Sequence, residues 1–233
     1  MSALDFIHKI NKLPDPTEAL LIEKRIQSVH KQKRLDSRLP ITSSILNQLV
    51  NALRYTVSSK FDQTLLTSML NLTYHGLLRI GEMTVNNNSC INVIDLNQLE
   101  ILCSKIIITF INYQHSDGKH FRLEIVKHKN SNICAVSACK KYLALRNQKP
   151  GPWFIQSNGQ AVSRQFFQTA LNDALNVCGL NTKLCKAHSF RIGFATEASH
   201  TGYSTETIMF LGRWKSDAYK LYLWQSKQIA DIQ

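Results

Sequence analysis

The stretch "LGRWKSDAYKLYLW", residues 211–224, carries two tyrosines behind a Gly-Arg-Trp turn. Tyr219 and Tyr222 are three residues apart, and together with Leu223 they recur at the spacing of one helix face. A packed amphipathic helix explains this spacing without any function. A chemical role for either hydroxyl therefore depends on which side chains the rest of the chain brings beside it.

A second polar group lies upstream in "AHSFRIGFA", residues 187–195. His188 and Arg191 are three residues apart, so both side chains lie on one face at the start of a predicted helix. Backbone N–H groups and the helix dipole favour an anion at such an end. A phosphate would suit this position, although ordinary capping or surface pairs have the same spacing.

A third group lies in "GLLRIGEM", residues 76–83, after an apolar helical segment. The glycine before Arg79 and the carboxylate of Glu82 three residues after it predict a tight turn and a buried arginine with a local carboxylate. A surface arginine at a helix start is the alternative interpretation.

These segments supply, in chain order, two arginines, a histidine, an indole and a tyrosine. Two guanidiniums can hold both non-bridging oxygens of a phosphodiester and the charge that grows at phosphorus. His188 can accept a proton near pH 7, and Trp214 can donate its indole N–H to the phosphate. A tyrosine has an ordinary pKa of about 10 and needs such a site to act as a nucleophile. This chemistry needs no metal or nucleotide, and we expect no cofactor.

The net charge of +12, from 28 Lys and Arg against 16 Asp and Glu, favours a polyanionic partner such as nucleic acid. A membrane is not expected, because the sequence has no basic amphipathic segment with a strong aromatic face and no apolar stretch of spanning length. The six cysteines have neither C-x-x-C spacing nor a His pair for zinc. We therefore expect free thiols in an intracellular protein.

Hydrophobic periodicity predicts an α+β fold that is mostly helical, with one small antiparallel sheet. β-branched and aromatic residues from Cys90 to His128 predict the sheet, and "QHSDGK", residues 114–119, predicts its hairpin loop. The predicted C-terminal helices have Ser204 and Ser216 as N-caps. Helical spacing occurs in segments 44–57, 62–85, 135–148, 163–179, 187–202, 204–213 and 216–225.

A domain boundary is predicted in "DSRLPITSS", residues 36–44. Pro40 disfavours helix before it, and Thr42 or Ser43 can cap the helix that follows. Residues 1–39 are predicted to be helical and then basic, and residues 40–233 form the second predicted domain.

In this order, the segments resemble the active-site boxes of the tyrosine recombinases, the class of the phage integrases, Xer and Cre. "GLLRIGEM" resembles the first arginine box, "HSFR" the H-x-x-R box, and "LGRWKSDAYKLYLW" the box that contains the nucleophile. The segments "HSFRIG", "LGRWKSDAYKLY" and "DSRLPIT" are closer in sequence to recombinases of eukaryotic DIRS-like and Crypton-type mobile elements than to the other classes. The resemblance runs from about residue 15 to residue 226.

The resemblance implies a role for each matched residue. Arg79 and Arg191 bind the scissile phosphate, and His188 is the acid/base or a phosphate ligand. Trp214 replaces the histidine that many relatives carry at that place. Glu82 resembles an acidic position of the family, whose side chain supports the active-site residues and does not itself contact DNA.

The resemblance also selects between the two tyrosines. In the family the nucleophile usually follows the His/Trp position by eight or nine residues. Tyr222 is eight residues after Trp214, whereas Tyr219 is five residues after it. We therefore predict that Tyr222 is the nucleophile and that Tyr219 packs on the neighbouring helical turn.

The family normally has a lysine on the sheet hairpin that protonates the leaving 5′ oxygen. The expected place in this sequence holds Tyr113 or Gln114. Lys119, across the turn, is the best substitute, and His115 or His120 are alternatives. General-acid help is worth roughly 10²–10⁴-fold in rate, so the assignment bears on whether the enzyme is active.

Relatives carry a separate helical core-binding domain ahead of the catalytic domain. Residues 1–39 would then be a remnant of that domain plus a basic linker, and residues 40–233 the catalytic domain. The implied function is a site-specific recombinase or integrase that acts on double-stranded DNA through a 3′-phosphotyrosine, as a dimer or tetramer, and in the nucleus if the source is eukaryotic. The alternative is an inactive, domesticated or truncated recombinase fold that only binds DNA.

Overall fold

The computed structural model of the chain describes residues 8, 10–12, 38–86, 92–111, 118, 120–215, 219–220 and 223. Backbone contacts divide the chain into two compact units, Met1–Ser37 and Arg38–Gln233. Nearly all described residues belong to the second unit, and the elements below are those of that unit. Across the described residues, no helix has both the length and the apolar character that a membrane span requires.

Among the described residues of the second unit, α-helices form the larger part of the regular secondary structure. A three-stranded antiparallel sheet in the order β1-β2-β3 lies among them. The predicted α+β fold, mostly helical with a small antiparallel sheet, is therefore confirmed. The helices are α1 Ser43–Thr56, α2 Lys60–His75, α3 Ile80–Met83, α4 Ala135–Leu145, α5 Arg164–Val177, α6 Ser189–His200 and α7 Thr205–Gly212. The strands are β1 Leu99–Ile101, β2 Lys105–Phe110 and β3 Phe121–Val126.

Two of the predicted side-chain caps are present, at the starts of α1 and α7. Thr42 caps α1 by accepting a hydrogen bond from the Ile45 amide, and Ser204 caps α7 in the same way from Thr207. Each cap supplies an acceptor to a backbone N–H that has no partner within its helix. Ser216, the third predicted cap, lies outside the described residues.

The second predicted helical segment, 62–85, divides at the predicted tight turn. Helix α2 ends at His75, and Leu77 adopts the left-handed conformation with φ 45°. At Gly76 a Cβ would lie 2.8 Å from the Leu72 carbonyl oxygen, so a larger residue does not fit there. The chain therefore turns sharply before Arg79, and the short helix α3 follows.

The sheet begins later than the residue pattern indicates. The described part of the extended segment that follows Cys90 forms only an isolated bridge between Asp95 and Pro152, and the first strand starts at Leu99. Strands β2 and β3 pair over their full length, from Lys105 opposite Val126 to Phe110 opposite Phe121. The last pair lies at the loop end of the hairpin, next to residues 111–120, in which the general acid is predicted.

Helix α6 packs closely against the chain segment that leads into α1. The Ile41 amide donates to the Ser189 carbonyl at 3.0 Å, and a Cβ at Gly193 would lie 1.8 Å from the Ile41 carbonyl oxygen. Only glycine allows this approach. The contact fixes the helix whose first turn carries His188 and Arg191.

Candidate active site

The turn between α2 and α3 places Arg79 beside a buried carboxylate. Arg79 is the N-cap of α3, and its amide donates to Glu82 Oε2 at 2.8 Å while its Nη1 donates to Oε1 at 3.3 Å. Glu82 is 3% exposed. The Arg79 side chain is 26% exposed, so it is only partly buried, whereas the sequence pattern indicates burial. The carboxylate therefore anchors a guanidinium that still reaches the surface.

A second arginine shares the same carboxylate. Arg213 Nη2 lies 2.9 Å from Glu82 Oε2, and Arg213 is only 7% exposed. Its guanidinium also donates to the carbonyls of Gly76, at 3.3 Å, and Leu77, at 3.1 Å, and lies 4.2 Å from the centre of the Phe110 ring. Arg213 thus connects the segment after α7 to the turn that carries Arg79.

Arg191 enters the same site from the first turn of α6. It is 1% exposed, and its Nη1 donates to the Leu77 carbonyl while its Nη2 donates to the Gly212 carbonyl at 2.9 Å. Its guanidinium lies 4.6 Å from the centre of the Trp214 ring. The segments around Arg79, Arg191 and Trp214 therefore converge, although more than a hundred residues separate the first two.

His188 and Trp214 are both half-buried. His188 is the half-buried N-cap of α6, and its backbone carbonyl accepts from the Arg191 amide at 3.0 Å. Trp214 is half-buried and follows Arg213, which ends α7 in the left-handed conformation with φ 55°. A Cβ at Gly212 would lie 1.9 Å from the Trp214 ring, so the ring occupies the space a side chain would need.

Tyr219 is buried rather than presented to the cluster. Its hydroxyl donates to Thr205 Oγ1 at 3.2 Å, and its ring packs with Ala195, Ala198 and Ile208 between α6 and α7. A hydroxyl held in this way has no access to a phosphate.

The remaining predicted positions fall largely outside the described residues. Tyr222 and Lys119 lie outside them, as do Tyr113, Gln114 and His115. His120 is described and exposed, immediately before β3. The choice of nucleophile and of general acid therefore stays a prediction.

Two features of the site were not predicted from the sequence. The burial of Arg213 is the first, because a Gly-Arg-Trp turn is typical of the surface and the apolar run "IMFL", residues 208–211, is only a weak local sign of burial. The second feature is the pair Tyr74 and Glu197, which no local spacing relates.

The Tyr74–Glu197 pair holds α6 in place. The Tyr74 hydroxyl donates to Glu197 Oε2, and Glu197 Oε1 accepts from the amide and the hydroxyl of Ser43, both at 3.0 Å. Burial, reinforced by the Glu197 carboxylate, raises the pKa of Tyr74 above its ordinary value of 10.0. Tyr74 is therefore a structural tyrosine that ties α2 and α1 to the helix carrying Arg191.

The sequence profile of the phage integrase family matches residues 41–222. This chain belongs to the phage integrase family. The match includes all three segments that converge at the site, and the resemblance to tyrosine recombinases is confirmed at the level of the family. No curated protein matches the sequence.

Solved structures of similar fold include three recombinases, all at low sequence identity. The XerH site-specific recombinase bound to palindromic difH substrate, a post-cleavage complex, has TM-score 0.61 and 15% identity over 86% of this chain and 52% of that chain. The XerA recombinase has TM-score 0.60 and 15% identity, and the match covers 97% of this chain and 77% of that chain. The Tn1549 transposon integrase with circular intermediate DNA has TM-score 0.59 and 13% identity, and the match covers 97% of this chain and 72% of that chain. This chain spans about half the length of the XerH chain.

Proposed function

We propose that this chain cleaves and rejoins double-stranded DNA through a 3′-phosphotyrosine, as a site-specific recombinase or integrase. The observation that carries the proposal is the convergence of Arg79, Arg191 and Trp214 from three distant segments in a phage integrase family member. The net charge of +12 supports a DNA partner. Two of the structures of similar fold contain DNA, XerH with its difH substrate and the Tn1549 integrase with a circular intermediate.

In the proposed reaction each residue has one task. Tyr222 Oη attacks phosphorus, and the bond between phosphorus and the 5′ oxygen breaks. His188 accepts the tyrosine proton, and Lys119 supplies a proton to the leaving 5′ oxygen. Arg79 and Arg191 stabilise the charge on the non-bridging oxygens. The phosphotyrosine retains the energy of the broken bond, so rejoining needs no added cofactor.

A second candidate function follows from the state of Arg191. Its guanidinium is buried and donates to the carbonyls of Leu77 and Gly212. To bind a phosphate, this guanidinium, which is 1% exposed, must become more accessible. This observation favours, as the alternative, a recombinase fold that binds DNA without cleaving it.

One experiment separates the two functions. A binding sequence is first selected from a random duplex library, and the selected duplex is then synthesised with a nick near each candidate cleavage position. After cleavage the short fragment is lost, so the covalent product accumulates. The recombinase forms a denaturant-resistant DNA adduct, and Tyr222→Phe forms none. A protein that only binds DNA retards the duplex but forms no adduct.

We also propose finer properties, which the residues of "DSRLPIT", "HSFRIG" and "LGRWKSDAYKLY" and the resemblance to the family support. The chain is a recombinase of a DIRS-like or Crypton-type mobile element, acts in the nucleus, and assembles as a dimer or tetramer on DNA. Residues 1–39 belong to a core-binding domain and its linker, and 40–233 are the catalytic domain. Light scattering with and without DNA, and the position of a fluorescent fusion in eukaryotic cells, test the assembly and the localisation.

A further inference from the structure

Arg213 donates to two acceptors, the Glu82 carboxylate and the Leu77 carbonyl, that also accept from the arginines proposed to bind the scissile phosphate. Its Nη2 lies 2.9 Å from Glu82 Oε2, and the other oxygen of that carboxylate accepts from Arg79. The same nitrogen lies 3.1 Å from the Leu77 carbonyl oxygen, which also accepts from Arg191. Arg79 and Arg191 are thus linked through Arg213 by two shared acceptors.

The backbone at both ends of this link is constrained. Leu77, with φ 45°, and Arg213, with φ 55°, are both in the left-handed region that side chains other than glycine rarely adopt. Such conformations persist where surrounding contacts hold them, and they concentrate at functional sites. The hydrogen bond from Arg213 to the Leu77 carbonyl joins the two constrained residues directly.

Arg213 also contacts the β2–β3 hairpin at the end where its loop begins. Its guanidinium lies 4.2 Å from the centre of the Phe110 ring and 5.9 Å from that of Phe121. These two residues are the last paired residues of β2 and β3 before the hairpin loop. The loop contains Lys119, the predicted general acid, so the same side chain contacts the strand ends that carry it.

We infer that Arg213 is a positioning residue for phosphodiester cleavage, an inference that rests on the proposed function. It holds Glu82 and the Leu77 carbonyl, and through them it sets the guanidiniums of Arg79 and Arg191. We assign its guanidinium to this support rather than to the phosphate, because it pairs with the Glu82 carboxylate and also donates to the carbonyls of Gly76 and Leu77.

A buried arginine elsewhere in the fold provides a matched control. Arg146 is 3% exposed and donates to the carbonyls of Trp153 and Pro152, each at 2.9 Å. Its carbonyl acceptors lie in the loop after α4 and include none that hold Arg79 or Arg191. Arg146→Lys therefore reports the cost of replacing a buried guanidinium without disturbing the site.

The test compares adduct formation on two nicked duplexes. One has a normal scissile phosphate, and in the other a methyl group replaces one non-bridging oxygen, which removes the charge that the arginines stabilise.

Arg213→Lys keeps one positive charge but cannot reach all the acceptors of the planar guanidinium. We expect adduct formation on the normal duplex to fall about 10²-fold, with unchanged DNA affinity. The deficit should shrink on the neutral duplex, and Arg146→Lys should show no such difference. Equal deficits on both duplexes, or no deficit beyond that of Arg146→Lys, overturn the inference.

A double variant excludes a simple failure to fold. Arg213→Met leaves the buried Glu82 carboxylate without one of its cationic partners, whereas Arg213→Met with Glu82→Gln removes both charges. We expect the double variant to melt closer to the wild type than Arg213→Met does, and to keep the cleavage deficit. Restoration of cleavage together with stability overturns the positioning role.

Crystal structures separate this inference from the proposed function. A wild type that forms no adduct on either duplex contradicts the proposed function. Independently, the Arg213→Lys structure should lose the contact of Arg79 with Glu82, of Arg191 with Leu77, or both. Retention of both contacts overturns the inference whether or not the wild type cleaves DNA.

Discussion

Arg191 Nη1 donates a hydrogen bond to the carbonyl of Leu77, two residues before Arg79 and 114 residues earlier in the chain than Arg191 itself. This bond connects the first arginine box to the H-x-x-R box through backbone rather than through a shared ligand. The two arginines nevertheless differ in surroundings, since Arg79 is 26% exposed and Arg191 is 1% exposed. Their removal should therefore have separable effects.

Arg79→Ala and Arg191→Ala should both lower cleavage, but only the second should strongly lower stability. Loss of one charge-stabilising donor costs about 10²–10³-fold in rate. The arginine side of the Arg79–Glu82 pair is partly exposed, and Arg213 stays beside Glu82 after the change, so its loss should cost about 0–1 kcal/mol of stability. Arg191→Ala removes a hydrogen-bond donor from two buried carbonyls, at about 1–3 kcal/mol. Urea denaturation and adduct formation measure the two effects, and equal losses of stability in both variants contradict the assignment.

Replacing each tyrosine separately tests which hydroxyl reacts. Tyr222→Phe should abolish the covalent adduct and leave DNA affinity unchanged, because only the nucleophile is removed. Tyr219→Phe should retain the adduct and lose about 0.5–1.5 kcal/mol of stability, the usual worth of one hydrogen bond, here to Thr205. Adduct formation that survives Tyr222→Phe but not Tyr219→Phe reverses the assignment.

Gly193→Ala should destabilise the fold because α6 approaches the backbone at Ile41. The new Cβ would lie 1.8 Å from a carbonyl oxygen, which can move only with the chain. Overpacking of this kind costs about 1–3 kcal/mol. Gly81→Ala is the matched control: a Cβ there meets nothing within 4 Å, and alanine favours helix over glycine by about 0.5–1 kcal/mol. Chemical denaturation should show opposite signs for the two variants, and a neutral Gly193→Ala would contradict the close approach.

Local patterns account for the parts of the structure that the sequence predicted. The spacing of His188 and Arg191 and the caps at Thr42 and Ser204 depend on a few consecutive residues. The pairing of Arg213 with Glu82 joins residues 131 positions apart, and no periodicity encodes it. A basic residue after a glycine is also typical of an exposed turn, so its burial depends on the tertiary fold.

The same limit applies to the sheet and to α6. β-branched residues after Cys90 favour extended backbone, but a strand also needs a neighbouring strand to pair with. In the described part of this segment ahead of β1, only Asp95 pairs, and its partner is Pro152, outside the sheet. The Tyr74–Glu197 pair is likewise set by where α2 and α6 meet. The sequence therefore supplied candidate groups, whereas the fold determined which of them share an acceptor.

Acid should destabilise this fold through His75. Burial lowers the pKa of His75 from 6.5 to about 4, and its Nε2 lies 2.7 Å from the Ile133 carbonyl oxygen. Below pH 6.5 the unfolded chain binds a proton that the folded chain refuses until about pH 4, so stability is complete above pH 6.5 and falls as the pH drops through this window. The loss contributed by this one group is about 2 kcal/mol between pH 7 and pH 5.

His75→Gln isolates this contribution, because glutamine keeps an N–H donor for the Ile133 carbonyl and does not titrate. Urea denaturation of both proteins at pH 7 and pH 5 gives the comparison, in which the acidic side chains elsewhere cancel. We expect the variant to lose about 2 kcal/mol less than the wild type over this interval. Equal losses in the two proteins would mean that His75 takes up its proton in the folded state, as an exposed histidine does, and that its burial between α2 and the Ile133 segment is not maintained in solution.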